Sequence, residues 1–143
     1  VVTTFRKQGA PLIRYRTHDL TRIIEGNCPC GLKYPRIDII IGRTDDMIKV
    51  KGVNIFPAQI EEVIKDVEHA SSEYQVMIDH LNGKDILTLF FEVEPNSDKK
   101  RVEEAMKIHF KAKIGIVIVP KAVEIGELPR SEKKSTRIYD NRY

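Results

Sequence analysis

Two thiols, a polar five-residue joint and a lysine-bearing tail are the features of this 143-residue sequence whose residue types and spacing admit chemistry. The thiols stand in Cys28-Pro29-Cys30-Gly31 and are the only cysteines. Structural zinc takes four ligands in a tetrahedron, and thiolates suit it. Cys28 and Cys30 supply half of such a site, with His18 the nearest histidine. The other reading of the pair is a tight turn with two partly buried thiols. Separated by a single residue, they cannot staple a fold. The joint is Gly42-Arg43-Thr44-Asp45-Asp46, a glycine followed by polar residues between apolar runs. A hinge needs a few residues that absorb a backbone rotation, and an ordinary surface turn has the same composition. The tail, Glu127 to Tyr143, holds Lys133 and Lys134 among few apolar residues and reads as exposed and mobile.

Composition narrows the classes. Lys and Arg number 24 against 21 Asp and Glu, a formal net charge of +3. A nucleic-acid binder usually shows a larger and segregated basic excess. There is no Trp, and Phe90 and Phe91 are adjacent, so on a strand they face opposite ways and cannot form one stacking platform. No apolar run approaches the roughly 20 residues that span a bilayer. No basic stretch followed by an apolar segment marks the start as a signal peptide. A soluble, cytoplasmic protein with no nucleic-acid or membrane partner is the expectation. There is no Walker-type phosphate loop.

The elements that would carry these residues change character near Met47. Before it, Leu12–Arg16, Leu20–Ile24 and Arg36–Ile41 read as three short strands, too few for a core of their own. After it, Met47–Val50 and Val53–Phe56 flank Lys51-Gly52 as a short hairpin. Pro57 opens a helix in which Ile60, Val63, Ile64 and Val67 share one face. Tyr74–Asp79 and Ile86–Val93 read as strands around an Asn82-Gly83 turn. Ser97 is the expected cap of a second helix with Val102, Ala105, Met106 and Phe110 on its apolar stripe. Gly115 ends that helix, and Ile116–Val119 opens another strand. The order predicts an α+β domain, a mainly antiparallel sheet with two to three helices covering one face.

Three motifs then resemble one enzyme family. Tyr15-Arg16-Thr17-His18-Asp19-Leu20 is similar to the Tyr-Arg-Thr-Gly-Asp motif of adenylate-forming enzymes. The run from Gly42-Arg43-Thr44-Asp45-Asp46 through Asn54-Ile55 resembles their hinge motif. Leu128-Pro129-Arg130-Ser131-Glu132-Lys133-Lys134 resembles their C-terminal lysine motif. They occur in the family's order over nearly the whole chain. The forms Ile13-Arg14-Tyr15-Arg16, Asn54-Ile55-Phe56-Pro57 and Leu128-Pro129-Arg130-Ser131-Glu132 are most similar to the phenylacetate–CoA ligase branch.

The resemblance implies an enzyme of two half-reactions. A carboxylate attacks the α-phosphate of ATP to give an acyl-adenylate and pyrophosphate, and coenzyme A then displaces AMP. The full-length enzyme would use ATP, coenzyme A and Mg2+ on an aryl carboxylic acid. The chain would comprise a β-rich remnant of a large N-terminal domain at 1–41, a hinge at 42–46 and a mobile lid at 47–143. Asp19 matches the aspartate that takes the ribose hydroxyls, and Arg43 a second ribose contact. Asp45 matches the pivot. Lys134 matches the lysine that bridges carboxylate and nucleotide. Lys49 and Gly52 lie on the hairpin that serves the coenzyme A step.

Two positions depart from the family pattern. His18 stands where many relatives have Gly. Lys133 stands where a Gly usually precedes the catalytic lysine, which leaves Lys133 as the alternative to Lys134. The family's phosphate loop and acyl pocket are missing from these residues, so this polypeptide alone is expected to be inactive. It is also expected to self-associate through strands that the missing domain would cover. The rival reading is a small α+β module that binds an effector or a protein, since fold alone does not settle function.

Overall fold

A computed structural model of the chain describes residues 1–26, 28–130 and 137–142. The chain divides into two units, Val1–Met47 and Ile48–Tyr143. In the first, β1 (Asp19–Leu20) pairs antiparallel with β4 (Gly42–Arg43), and β2 (Ile23–Ile24) pairs antiparallel with β3 (Arg36–Ile37). These strands are shorter than the sequence pattern predicts, for local reasons. The run Leu12–Arg16 reduces to one bridge, Tyr15 with Val2, because Arg14 takes a positive φ of 49° that interrupts an extended strand. The third run stops at Ile37. The next residue, Asp38, turns its carboxylate onto the Ile39 N–H (2.9 Å) and onto Arg22 (2.6 Å), competing with the ladder. Ile13, Ile23, Ile37 and Ile39 are left exposed, and no described residue of this unit is fully buried.

The second unit starts with β5 (Ile48–Val50) and β6 (Val53–Ile55), an antiparallel hairpin. Both turn residues, Lys51 and Gly52, have positive φ (50° and 81°). That is the two-residue turn whose twist matches the strands it joins. Pro57 then enters α1 (Pro57–Lys65) at its first turn, and the Gln59 side chain accepts the Phe56 N–H at 3.0 Å. A longer hairpin follows, β7 (Ala70–Leu81) and β8 (Lys84–Val93), closed at Asn82 and Gly83 with φ of 51° and 74°. The second helix, α2 (Lys99–Ile114), is capped by Asp98, whose carboxylate accepts from the N–H groups of Lys100 and Arg101. Ser97, the expected cap, instead donates its hydroxyl to the Glu94 carbonyl at 2.7 Å. Gly115 closes α2, as the pattern predicts.

Strand β9 (Val119–Glu124) begins later than expected and runs parallel to β8, because α2 carries the chain back to the same end of the sheet. A last strand, β10 (Ile138–Asp140), pairs parallel with β7, giving the order β10–β7–β8–β9. This corrects the expectation of a wholly exposed, mobile tail. Three residues carry too little pattern to read as a strand, but β7 offers them an open edge, and Ile138 packs against the core. The α+β class holds, with an antiparallel centre and parallel outer strands. Alternate residues Tyr74, Val76 and Ile78 of β7 and Leu87, Leu89, Phe91 and Val93 of β8 face the helices. There they meet Ile60, Val63 and Ile64 of α1 and Val102, Met106 and Phe110 of α2. No helix of the described residues is long and apolar enough to cross a membrane.

His69 precedes β7 in the left-handed region (φ 67°). Its carbonyl accepts the Glu94 N–H at 2.9 Å, and its ring Nδ1 lies 2.9 Å from the Glu94 carboxylate. That hydrogen bond first, then the charges of Glu68 and Glu94, raise the imidazole above the usual histidine range, against desolvation and Arg101. A raised folded pKa stabilises the fold below the unfolded value of about 6.5, and the contribution is lost as pH climbs through the folded value. Thermal midpoints should therefore fall between about pH 6 and pH 8, and Glu94→Gln should flatten that dependence. In the core, Phe91 is fully buried. Phe91→Ala should lower unfolding free energy by about 3–5 kcal/mol in urea titration, the usual range for an aromatic cavity.

Candidate functional site

In the first unit, Asp19 and Arg43 are directly opposed cross-strand partners in the β1–β4 pair. Two residues far apart in sequence thus meet on adjacent strands, Asp19 exposed and Arg43 partly so. The residue between the motif's threonine and Asp19 is His18, with φ of 64°. A glycine takes that conformation readily, and histidine is among the residues that tolerate it. The Gly-to-His difference at this position therefore leaves the backbone path available. The Thr44 N–H donates to the His18 carbonyl at 2.8 Å, extending the β1–β4 contact by one bond.

Arg43 does not point freely outward. Its Nε and Nη2 donate to the two carboxylate oxygens of Asp45 at 3.0 and 2.7 Å, a forked pair. The hydrogen bonds to Asp45 make the guanidinium more basic, with Asp46 and Asp19 adding, and Arg43 in turn holds Asp45 below the ordinary carboxylate range. Asp19, Arg43 and Asp45 therefore form one charged group. The division between the units falls just beyond it, after Met47.

Cys28 and Cys30 bring their sulfurs to 2.7 Å across a turn closed by the Gly31 N–H on the Cys28 carbonyl. The Cys28 contact is the main cause that lowers Cys30 below the ordinary thiol range. Among the described residues, no group of three or more His, Cys, Asp and Glu gathers around a common point. Zinc would find two thiolates here and would need the rest of its tetrahedron from other residues.

In the second unit, Lys49 and Gly52 sit on the β5–β6 hairpin, Lys49 exposed and paired with Asn54. A Cβ built on Gly52 would meet nothing within 4 Å, so space is open around it and the turn's positive φ is what calls for glycine. This hairpin is tied down by a residue the sequence pattern does not single out. Arg142 donates from Nη1 to the Lys49 carbonyl and to Asp85, both at 2.9 Å, and from Nη2 to Asp140 at 2.7 Å. Its side chain is 13% exposed, and Asp140, then Asp85, raise its basicity further. One guanidinium thereby joins the first hairpin, the turn end of the second and the last strand. Asp85 also accepts from the His80 ring at 2.8 Å, the main cause that lowers its pKa.

The lysine motif is anchored on both sides by described residues, while Lys133 and Lys134 themselves lie outside them. At its start, Glu92 accepts from the N–H groups of Gly126 (2.8 Å) and Leu128 (3.4 Å) and from Arg130 (3.3 Å). Behind it, the Arg137 guanidinium lies 4.9 Å over the Tyr74 ring and near Glu61 (3.4 Å) and Glu73 (3.6 Å). The Arg137 carbonyl also accepts the Val76 N–H at 2.7 Å. The one sequence cue to Glu92 is a single acid inside the apolar run Leu87–Val93. Arg137 and Arg142 have no such cue.

Comparison with known proteins supplies the family. The family model for the AMP-binding enzyme C-terminal domain matches residues 52–142. The phenylacetate–coenzyme A ligase of Escherichia coli K12 is 37% identical over 146 residues, covering 98% of this chain and 33% of that protein. The chain thus spans about a third of the length of the phenylacetate–coenzyme A ligases of Escherichia coli and Pseudomonas putida. Among solved structures, a domain of phenylacetate–coenzyme A ligase from Bacteroides vulgatus is 31% identical with a TM-score of 0.60, covering 69% of this chain and 95% of that one. The 2-hydroxyisobutyryl-CoA ligase in its postadenylation state superposes with a TM-score of 0.76 at 26% identity, over 92% of this chain and 29% of that one. The same ligase, solved with 2-HIB-AMP and CoA in the thioesterification state, superposes at 0.63. With the family's model matched across its second unit, this chain belongs to the AMP-binding enzyme C-terminal domain family.

Proposed function

We propose that the chain is the C-terminal part of an ATP-dependent acyl-CoA ligase that converts an aryl carboxylic acid such as phenylacetate to its coenzyme A thioester. The observation that carries this reading is similarity to phenylacetate–coenzyme A ligases across 98% of the chain, with the ribose, hinge and lysine motifs in order. In the first half-reaction a carboxylate oxygen bonds to the α-phosphorus of ATP, and the bond to the β-phosphate breaks, releasing pyrophosphate. In the second, the thiolate of coenzyme A bonds to the acyl carbon, and AMP leaves.

The residues divide between these steps. Asp19 accepts hydrogen bonds from the two ribose hydroxyls, for which an ionised carboxylate has acceptor capacity on both oxygens. Arg43, its cross-strand partner, supplies donors to the same sugar and exchanges Asp45 for it as the chain pivots. Residues 1–41 then belong to the N-terminal AMP-binding domain, 42–46 form the hinge and 47–143 the lid. Lys134, with Lys133 as the alternative, offsets negative charge as the carboxylate approaches the phosphate and fixes its line of attack. Lys49 and the open space around Gly52 serve the thioester step. Mg2+ belongs with the ATP phosphates in the intact ligase, while Cys28 and Cys30 form a tight turn and would supply at most half of a zinc site. ATP, coenzyme A and the aryl acid are soluble metabolites, which fits a cytoplasmic enzyme with no nucleic-acid or membrane partner.

Three outcomes test the proposal. In the full-length ligase, Lys134→Ala should slow ATP–pyrophosphate exchange on the order of 100-fold or more while thioester formation from supplied acyl-adenylate stays near wild type. Equal loss of both half-reactions, or of neither, would contradict the assigned role, and the same loss in Lys133→Ala alone would move it by one residue. The isolated chain should form no thioester from acid, ATP and CoA. It should also sediment as more than a monomer, since Ile23, Ile37, Ile39 and Ile40 are open to solvent. Purely monomeric sedimentation at millimolar concentration would refute that last expectation.

A further inference from the structure

Glu92 is the only charged side chain among the described residues that is fully buried, at 0% exposure. Its neighbours Phe91 and Val93 face the helices, so Glu92 leaves the strand on the opposite side. A carboxyl group withdrawn from water needs hydrogen-bond partners to compensate. Among the described residues, its partners all come from one stretch, Gly126 to Arg130, which lies 34 to 38 positions further along the chain. Each of them donates, and a carboxylate only accepts. The geometry divides the work between its oxygens. Oε1 takes the backbone N–H groups of Gly126 and Leu128, and Oε2 takes the Arg130 guanidinium. Leu128 is itself buried, so the stretch is seated by packing as well as by charge.

The seat of this stretch matters because the lysine motif continues directly from it. Lys134 stands four residues after Arg130 and three before Arg137, which is fixed by Tyr74, Glu61 and the Val76 N–H. We infer that Glu92 is a positioning residue for the adenylation lysine, holding Gly126–Arg130 so that Lys134 starts from a fixed origin. The inference rests on the ligase reading given above. Displacement of a reacting group by about 1 Å costs on the order of 100-fold in rate, so an anchor of this kind leaves a kinetic signature although it touches no substrate. A glutamine at this site keeps the shape and the oxygen that serves both backbone donors. It turns an amide donor toward Arg130 in place of an acceptor.

The test uses the full-length ligase with Glu92→Gln, Lys134→Ala, the double variant and Arg130→Met. Glu92→Gln should lower kcat for ATP–pyrophosphate exchange about 10- to 100-fold with KM for ATP nearly unchanged, while thioester formation from supplied acyl-adenylate stays within about twofold. Arg130→Met should give the same split with a smaller loss. In the Lys134→Ala background, Glu92→Gln should add nothing, because the anchor acts through that lysine. A further loss there, a parallel fall in both half-reactions, or normal exchange beside a crippled Lys134→Ala would each overturn the inference. Should Glu92→Gln fail to fold, Arg130→Met is read by the same criteria. Normal exchange in both Lys134→Ala and Lys133→Ala would instead overturn the ligase reading on which the inference stands.

Discussion

The pairing of Ala70–Leu81 with Lys84–Val93 fixes the positions on which everything else in the second unit is built. Asn82 and Gly83, both with positive φ, join these strands by a two-residue turn, and the turn sets a register in which Tyr74 opposes Phe91 and Ile78 opposes Leu87. A slip of one residue would turn each side chain to the other face. It would carry Phe91 out of the core and bring Glu92 in beneath the helices, among Val102, Met106 and Phe110. In the observed register that carboxylate instead meets Gly126, Leu128 and Arg130. The hairpin thus decides both where the apolar layer lies and where the C-terminal stretch is seated.

Under the proposed function, this arrangement suits a part that takes turns at two chemistries. The hairpin with Lys49 and Gly52 is fastened by Arg142, and the approach to the lysine motif is fastened by Glu92 and Arg137. Arg142 reaches a main-chain carbonyl and Glu92 two main-chain N–H groups, not only other side chains. Exposed ion pairs alone would hold little. Arg142, which binds the Lys49 carbonyl, is largely withdrawn from water, and Glu92, which binds the Gly126 N–H, is fully so. Hydrogen bonds to charged groups in such surroundings are worth more. The sheet and helices therefore hold the Lys49 hairpin and the Gly126–Arg130 stretch at defined points.

Local chemistry made much of the fold legible. Lys51-Gly52 and Asn82-Gly83 announced their turns, and the stripes Ile60-Val63-Ile64 and Val102-Met106-Phe110 announced which helix faces are buried. What escaped depends on partners distant in sequence. Ile138–Asp140 is a strand only because β7 offers an edge, and Asp98 displaced the adjacent Ser97 as cap because its carboxylate reaches two N–H groups. The same division runs through the site. Asp19, Arg43 and the lysines were visible as motifs, whereas Glu92, Arg137 and Arg142 gain meaning from contacts 34 to 93 positions away.

Amide hydrogen exchange at Gly126 and Leu128 tests the central interaction most directly. If the buried Glu92 carboxylate seats this stretch on the sheet, both amides should be protected nearly as well as those of Leu89 and Phe91 in the middle of β8. Exchange of Gly126 and Leu128 at the rate of an unstructured peptide, with the sheet still protected, would contradict the account.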